Sequence, residues 1–392
     1  MPQTSRPKTV IVAGSGIVGA AVTYFLVKQG VHVELLDAHA PAAEATGAAD
    51  GAVSVASKRP GPMMNAALAG VALYRSLAGQ GLLADLFKAR STYIVAASDA
   101  ECEILEAHAA ALAENRMRIE RMPASMVREK IPVLSKGVRL VVEVKDEGHA
   151  IGYQIVHRLL TASGVVVRRG HRVNSFLTHP SSGAVCGVRT DHGDFSADAV
   201  VIAAGSGSAG LMGLDDVMFP RKGQLLVTER ASALNQSLNG AIMSGRYLMS
   251  KGSQQGSAPQ SARGYGLVID PLKTGQFLIG GTREDHGDRC KNDIDAVSHI
   301  LRDAVGLLPG LAEVRLLRAF AGNRTAVVDG LPLIGKAQGH ANVFVATGFE
   351  GDGICLGPVM GKAISQLVCG ETPDVDLTPF DPGRFADRRK AA

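Results

Sequence analysis

The chain has 392 residues, of which 46% are hydrophobic, 20% charged and 4% aromatic, with no tryptophan. That apolar share excludes wholesale disorder, and the length accommodates two to three domain-equivalents or one large α/β unit with an inserted domain. Lysine and arginine number 41 against 37 acidic residues, a net +4 with the signs interspersed, which argues against a nucleic-acid binder with a dense basic face. Glycine is the outlier. It fills 46 of 392 positions, about 12% against roughly 7% in average proteins, and without a collagen-like period such glycines mark turns and close backbone approach to a ligand. The five cysteines, Cys102, Cys186, Cys290, Cys355 and Cys369, show no CxxC or CxxH spacing. Zinc and iron–sulfur ligation therefore lack support, no metal is expected, and a reducing cytoplasm is the simplest location. Arg384, Arg388, Arg389 and Lys390 read as a solvated C-terminal tail.

In chain order, residues 9–27 carry no charge and follow Arg6 and Lys8, the profile of a signal peptide or a membrane span. Gly14, Gly16 and Gly19 interrupt it, and a different account fits better. Thr9–Ala13 is a short β-branched run of the kind buried on both faces of a parallel sheet. Gly14, Ser15, Gly16, Ile17, Val18 and Gly19 follow, 20–29 reads as a helix closed by Gly30, and 31–36 is a second strand ending in Asp37. In such a strand–GxGxxG–helix–strand–acid unit Gly14 permits the tight turn, Gly16 lets backbone N–H groups reach a pyrophosphate, and Gly19 lets the helix pack on the strand. Asp37 then stands where a carboxylate grips ribose hydroxyls. The alternative is a glycine-rich turn in an unrelated parallel sheet.

The next stretch, Ala45, Thr46, Gly47, Ala48, Ala49, Asp50, Gly51 and Ala52, replaces the βα unit that would continue a plain NAD-binding domain. Its small side chains point to backbone running along a bulky planar ligand. Helices are expected at 64–77 and 99–118, the second opened by Ser98 with Glu101 three residues on, a capping-box pattern. Residues 195–205 give a strand ending in Ala203-Ala204-Gly205. Strands of a second sheet are expected at 224–228, 241–248, 266–269 and 277–281. The polar run 251–263 reads either as a mobile surface loop or as an active-site lid or docking segment. Finally Val343–Thr347 is a strand, followed by Gly348, Phe349, Glu350, Gly351, Asp352, Gly353 and Ile354 and by a helix expected from Pro358.

Eight segments in this order, GSGIVG (14–19), ATGAADGA (45–52), DEGHAIGYQIVHRLL (146–160), ADAVVIAAG (197–205), RKGQLL (221–226), GQFLIGGTRE (275–284), AGNRTAVVDGLPLIG (321–335) and GFEGDGICLGP (348–358), cover nearly the whole chain. Together they resemble the D-amino-acid-oxidase superfamily of FAD-dependent amine oxidoreductases, which includes glycine oxidase and the FAD-bearing β-subunits of bacterial opine, D-hydroxyproline and sarcosine oxidising complexes. The resemblance implies an α/β fold, α+β overall. A Rossmann-like FAD-binding domain would be split over 1–60, 140–215 and 320–375, with a mixed-sheet substrate domain at 61–139 and 216–319 and a tail at 376–392. It implies FAD held by Gly14, Ser15, Gly16, Ile17, Val18, Gly19, Asp37 and Ala38 at the nucleotide end. Val173 would contact adenine, Ala204 and Gly205 the pyrophosphate. Ala45, Thr46, Asp50, Gly51 and Ala52, with Gly348, Phe349, Glu350, Gly351, Asp352, Gly353 and Ile354, would line the flavin side.

Arg324 falls where the family places a substrate-carboxylate arginine, although here it stands between Asn323 and Thr325 instead of Leu and Pro; a salt bridge to Asp329 is the alternative. The loop Gly351-Asp352-Gly353 lacks an arginine that glycine oxidases carry there, which favours a bulkier or differently anchored substrate. Tyr247 and Tyr265 are the candidate companions of Arg324, or simply sheet residues, while Cys355 and His149 read as packing. The implied chemistry is hydride transfer from a substrate C–N bond to flavin, by the catalytic β-subunit of a multi-subunit opine or D-amino-acid-type dehydrogenase. Its partner subunits would carry further redox centres; a stand-alone glycine or D-amino-acid oxidase or dehydrogenase is the alternative. A small amine or amino acid is the expected substrate, with no nucleic acid and no transmembrane segment. The location is cytoplasmic, or peripheral at the inner membrane through an electron acceptor.

Overall fold

A computed structural model describes residues 6–254 and 263–386. Thr9–Ala13 lies inside a six-stranded sheet whose order is Leu333–Lys336, Val343–Thr347, Ala199–Ile202, Thr9–Ala13, His32–Asp37 and Val167–Arg169. All neighbours are parallel except the edge strand Leu333–Lys336. Both faces are covered, which is why these strands read as near-continuous apolar runs. On one face the helix Ile17–Lys28 packs between Gly152–Ser163 and Gly353–Val368. On the other, Ile11, Ala13, Val200, Ile202 and Val345 meet Val185 and Val188 of a three-stranded antiparallel sheet, Val173–Thr178, Val185–Thr190 and Gly193–Ser196.

The second sheet is larger and mixed. Its path runs Leu316–Val327, Met218–Thr228, Phe277–Arg283, Gly264–Pro271, Gly240–Ser244, Lys88–Ala96, Leu140–His149 and Ala52–Val53, with Ile119–Pro123 paired to Leu140–His149. One face buries Leu226, Leu267, Ile269, Phe277 and Ile279 under the helix Ile294–Leu307. The opposite face looks toward the carboxyl ends of the parallel strands of the first sheet, and the space between is where the site forms.

Several expected elements need correction. The first helix starts at Ile17, directly after Gly16, and the helix expected at 64–77 spans Pro62–Gly79. Asp99–Glu114 ends short of residue 118 because Asn115 leaves the helix and Arg116 takes φ 60. Its cap is as expected on one side only. Ser98 Oγ accepts from Glu101 N at 3.3 Å, whereas the Glu101 carboxylate accepts from Ala97 N rather than from Ser98. The strand expected at 241–248 stops at Ser244, and a helix, Gly245–Gln254, takes over. Most of the polar run 251–263 lies outside the described residues. The solvated-tail reading fails for Arg384, whose Nε donates to Asp329 Oδ2 at 2.7 Å and Nη2 to the Leu331 carbonyl at 2.7 Å; residues 388–390 lie outside the described residues.

The helix expected from Pro358 begins at Gly353 and carries that proline inside it. A proline in a helix cannot donate to the carbonyl four residues back, here Ile354. The structure supplies a substitute: Tyr74, fully buried on Pro62–Gly79, donates its hydroxyl to the Ile354 carbonyl at 2.8 Å. Tyr74→Phe would leave that buried acceptor unpaired, so the variant is expected to lose roughly 1–3 kcal/mol of stability in urea titration. A midpoint equal to that of the wild type would contradict this account.

Candidate active site

The nucleotide end is built from backbone. Gly14 adopts φ +104, and a Cβ there would strike the Ala203 carbonyl at the end of the neighbouring strand. A Cβ on Gly19 would fall on the Gly14 carbonyl oxygen. Helix Ile17–Lys28 is thus pressed onto the turn, with no acid in its first turn, so its positive end faces the cavity unopposed. Ser15 donates to Asp37 Oδ2 through both N and Oγ, at 2.7 and 2.6 Å, and His39 N donates to Asp37 Oδ1 at 2.7 Å. These bonds aim the carboxylate and leave a lone pair on Oδ1 for a hydroxyl. Thr46 Oγ1 accepts from Ile17 N at 3.1 Å, tying the small-residue loop to the helix start.

A cavity of about 380 Å³ runs from this end to the second sheet. Of the residues expected at the cofactor it is lined by Gly14, Ser15, Gly16, Ile17, Val18, Asp37, Ala38, Ala45, Thr46, Asp50, Val173, Ala204, Gly205 and all of Gly348, Phe349, Glu350, Gly351, Asp352, Gly353 and Ile354. Gly19, Gly51 and Ala52 are not in its wall. Gly51 lies against His149, where a Cβ would sit 2.6 Å from Nε2, and Ala52 opens a strand pairing with His149.

Across the cavity the second sheet presents glycines: Gly223, Gly266, Gly280 and Gly322 all line it. On Gly264–Pro271 the two-residue period sends Gly266, Val268 and Asp270 to the cavity, and Tyr265, Leu267 and Ile269 to the other core. Tyr265 accordingly stacks on His299, ring centroids 3.8 Å apart, and is not brought to the cavity. Tyr247 is: its helix lays the ring over Gly266, whose missing side chain makes the room. Arg324 also lines the cavity. Its guanidinium covers Gly223, where a Cβ would lie 2.6 Å from Nη2, and Nη1 donates to the Thr282 carbonyl at 3.1 Å. Asp329 belongs to Arg384, so the salt-bridge alternative for Arg324 does not form, and no carboxylate among the described residues pairs with it.

Charged groups that sequence reasoning did not single out surround this centre. Arg221 and Arg283, both within the quoted segments RKGQLL and GQFLIGGTRE, converge on Glu350 at 3.1 and 2.5 Å, and Arg221 also holds Asp285 at 2.5 Å. Buried Lys58 pairs with Asp352 at 2.5 Å; burial opposes its charge, but Asp352 outweighs burial and holds the ammonium above its ordinary pKa. Farther along, Asp270 pairs with Arg90 and stands 3.9 Å from His149 Nε2. Burial, and then the Asp270 charge, push the Asp50 carboxyl up. Burial likewise lowers His149, which keeps its Nε2 on the Asp50 carbonyl at 3.0 Å, and raises the Cys355 thiol to about 12. Cys355 is packed between helices, 3.6 Å from the Ala67 carbonyl. No group of three or more metal-ligating side chains occurs among the described residues, and none of their helices is long and apolar enough to cross a membrane.

Residues 9–367 match the family model described as FAD dependent oxidoreductase. The chain belongs to this DAO family. It is 27% identical over 285 residues to a glycine oxidase of Pseudomonas putida, 71% of either chain. It is 31% identical over 207 residues to the hydrogen cyanide synthase subunit HcnC of Pseudomonas protegens, 52% of this chain and 44% of that one. The crystal structure of glycine oxidase from Bacillus cereus superposes with a TM-score of 0.80 at 25% identity, covering 93% of this chain and 95% of the other. The cofactor of the DAO family is FAD, and the cavity suits it: a turn without side chains at one end, a flat glycine floor at the other, and small residues between.

The raised pKa of Asp50 has a consequence for stability. The folded protein holds this proton more tightly than the unfolded chain, so the group's contribution is present in acid and fades as pH rises through the raised value. Asp50→Asn cannot ionise and is expected to raise the denaturation midpoint at mildly alkaline pH while gaining nothing in acid. A difference between the two proteins that does not change with pH would count against it.

Proposed function

We propose that this DAO-family protein oxidises the C–N bond of a carboxylate-bearing secondary amine or D-type amino acid. FAD, when bound, accepts the hydride from the substrate carbon. The amine nitrogen loses a proton, and water hydrolyses the resulting imine. The observation that carries this reading is Arg324, a half-buried guanidinium laid across a glycine floor with a carbonyl but no described carboxylate for a partner. A planar fork so placed binds a carboxylate bidentately and fixes the neighbouring carbon against the flavin side. Tyr247 closes the pocket over Gly266. The Gly353 end of Gly353–Val368 offers N–H groups and a positive helix end to negative charge. No general base is required of the protein, because a neutral amine itself drives the hydride out.

In the same reading, the six-stranded sheet with its covering elements is the FAD-binding domain and the nine-stranded sheet the substrate domain. Together they form the catalytic β-subunit of a multi-subunit opine or D-amino-acid-type dehydrogenase in the cytoplasm. The loop Gly351-Asp352-Gly353 without an arginine, and a relative whose name makes it a synthase subunit, support this. A stand-alone glycine or D-amino-acid oxidase is the competing reading, favoured by the glycine oxidase relatives.

Anaerobic mixing of the flavin-loaded protein with carboxylate-bearing amines is expected to bleach the flavin. In Arg324→Met the apparent second-order rate should fall roughly 10²-fold or more, chiefly through weaker binding, with Arg324→Lys between the two. Bleaching at the wild-type rate in Arg324→Met would overturn the assignment. Isolated from its native cell, the protein should bring a second redox-active subunit with it. A lone chain that turns over glycine rapidly with peroxide release would favour the stand-alone oxidase instead.

A further inference from the structure

The arginines around Glu350 define the substrate more closely, given the amine oxidation proposed above. Arg221 and Arg324 are directly opposite each other on neighbouring antiparallel strands, an arrangement of like charges that is unfavourable unless something negative lies between or beside them. Arg283 joins them from the adjacent strand. Strand alternation alone would give Thr282 to the cavity with Gly280. The register shifts, however: Val268 pairs with Gly280 but Tyr265 pairs with Thr282. The Thr282 hydroxyl therefore turns away, accepting from Gln224 N at 3.0 Å and donating to Glu284 at 2.7 Å, and Arg283 carries its side chain to the cavity. Arg283 is only 8% exposed. One of its nitrogens donates to Glu350, yet its Nε is buried with no hydrogen-bond partner.

Three guanidiniums thus share two carboxylates, Asp285 on Arg221 and Glu350 between Arg221 and Arg283. One positive charge is left over, together with an unmet donor on Arg283, in surroundings where both are costly. A neutral amine with one carboxylate on Arg324 would balance that charge but leave the buried Arg283 Nε without an acceptor. A secondary amine carrying a second carboxylate would meet that donor as well. The space for a second arm is present. A cavity of about 560 Å³ adjoins the first and shares Arg283, Gly348, Glu350 and Asp352 with it. Arg59 stands exposed at its edge, and Met63, Ile104 and Leu248 form part of an apolar wall.

We propose that Arg283 is the second carboxylate anchor of this site, supplying from the sheet the cation that the loop Gly351-Asp352-Gly353 lacks. The substrate class is then a dicarboxylic secondary amine, one carboxylate on Arg324 and the other on Arg283, with the second arm directed into the adjoining cavity. Arg283 sets specificity; the oxidised carbon stays with Arg324.

The test is calorimetric binding to the flavin-loaded protein of two probes, iminodiacetate with two carboxylates and N-methylglycine with one. The wild type should bind iminodiacetate at least about tenfold more tightly. Arg283→Met should bring the ratio of the two affinities close to one, and Arg283→Gln, which keeps a donor toward Glu350, should do the same if Met at this position fails to fold. Equal affinities in the wild type, an unchanged ratio in the variants, or no binding of either probe would overturn the assignment. Flavin bleaching by the same probes separates the two levels of inference. Bleaching by both with equal affinities removes only the role of Arg283, whereas bleaching by neither probe nor by any other carboxylate-bearing amine removes amine oxidation itself.

Discussion

The nucleotide end depends on one backbone contact, the Cα of Gly19 against the carbonyl of Gly14, with Gly14 itself held against the Ala203 carbonyl. No other residue type fits either place. The contact presses helix Ile17–Lys28 onto the ends of two parallel strands, so Gly14, Asp37, Ala204 and Gly348, at the carboxyl ends of four different strands, open into one cavity. Ligands bind at such carboxyl edges because chain order reverses there and leaves a crevice that loops can line. The donors along this edge are main-chain groups and a helix end, and their positions are fixed by the sheet rather than by rotamers.

The second sheet answers with the same device. Glycine inside a strand weakens it, since it adds conformational entropy to the unfolded chain and packs nothing. Here Gly223, Gly266 and Gly322 each lie beneath a side chain or loop that a Cβ would displace: Arg324, Tyr247 and Ala48. The floor is therefore shaped for what lies on it. A flat ring and a guanidinium need the same thing from a protein surface, a plane without protruding carbons, and the nine-stranded sheet supplies it over several adjacent strands.

Local spacing was enough to read the first of these ends and not the second. The glycine turn, Asp37, the small-residue loop and the segment from Gly348 to Ile354 are contiguous in sequence, and each brought its residues to the cavity except where packing had the prior claim, as at Gly19, Gly51 and Ala52. By sequence alone Tyr247 and Tyr265 are alike, both candidates in the second domain. A helix that replaces the end of a strand carries Tyr247 inward, while strand parity turns Tyr265 outward onto His299. The helix through Pro358 was missed because proline argues locally for a start, and the compensation, the Tyr74 hydroxyl, arrives from 280 positions away. Arg221 and Arg283 lie inside the segments RKGQLL and GQFLIGGTRE. Their meaning rests on a cross-strand pairing and a register shift that no single-strand pattern contains.

Charge balance distinguishes the site from its surroundings. Lys58 is paired with Asp352 and Arg90 with Asp270, and such pairing offsets part of the desolvation that burial costs. Burial raises the Asp50 carboxyl and lowers His149, shifting each toward its neutral form. The arginine cluster is different in kind. Glu350 serves two guanidiniums and Arg324 has none to itself, so the positive excess is concentrated at the one place where the cavity meets its neighbour. Guanidiniums that share too few carboxylates leave a site whose compensation a ligand can supply. Under the proposed function, the sign of that excess matches a carboxylate on the substrate.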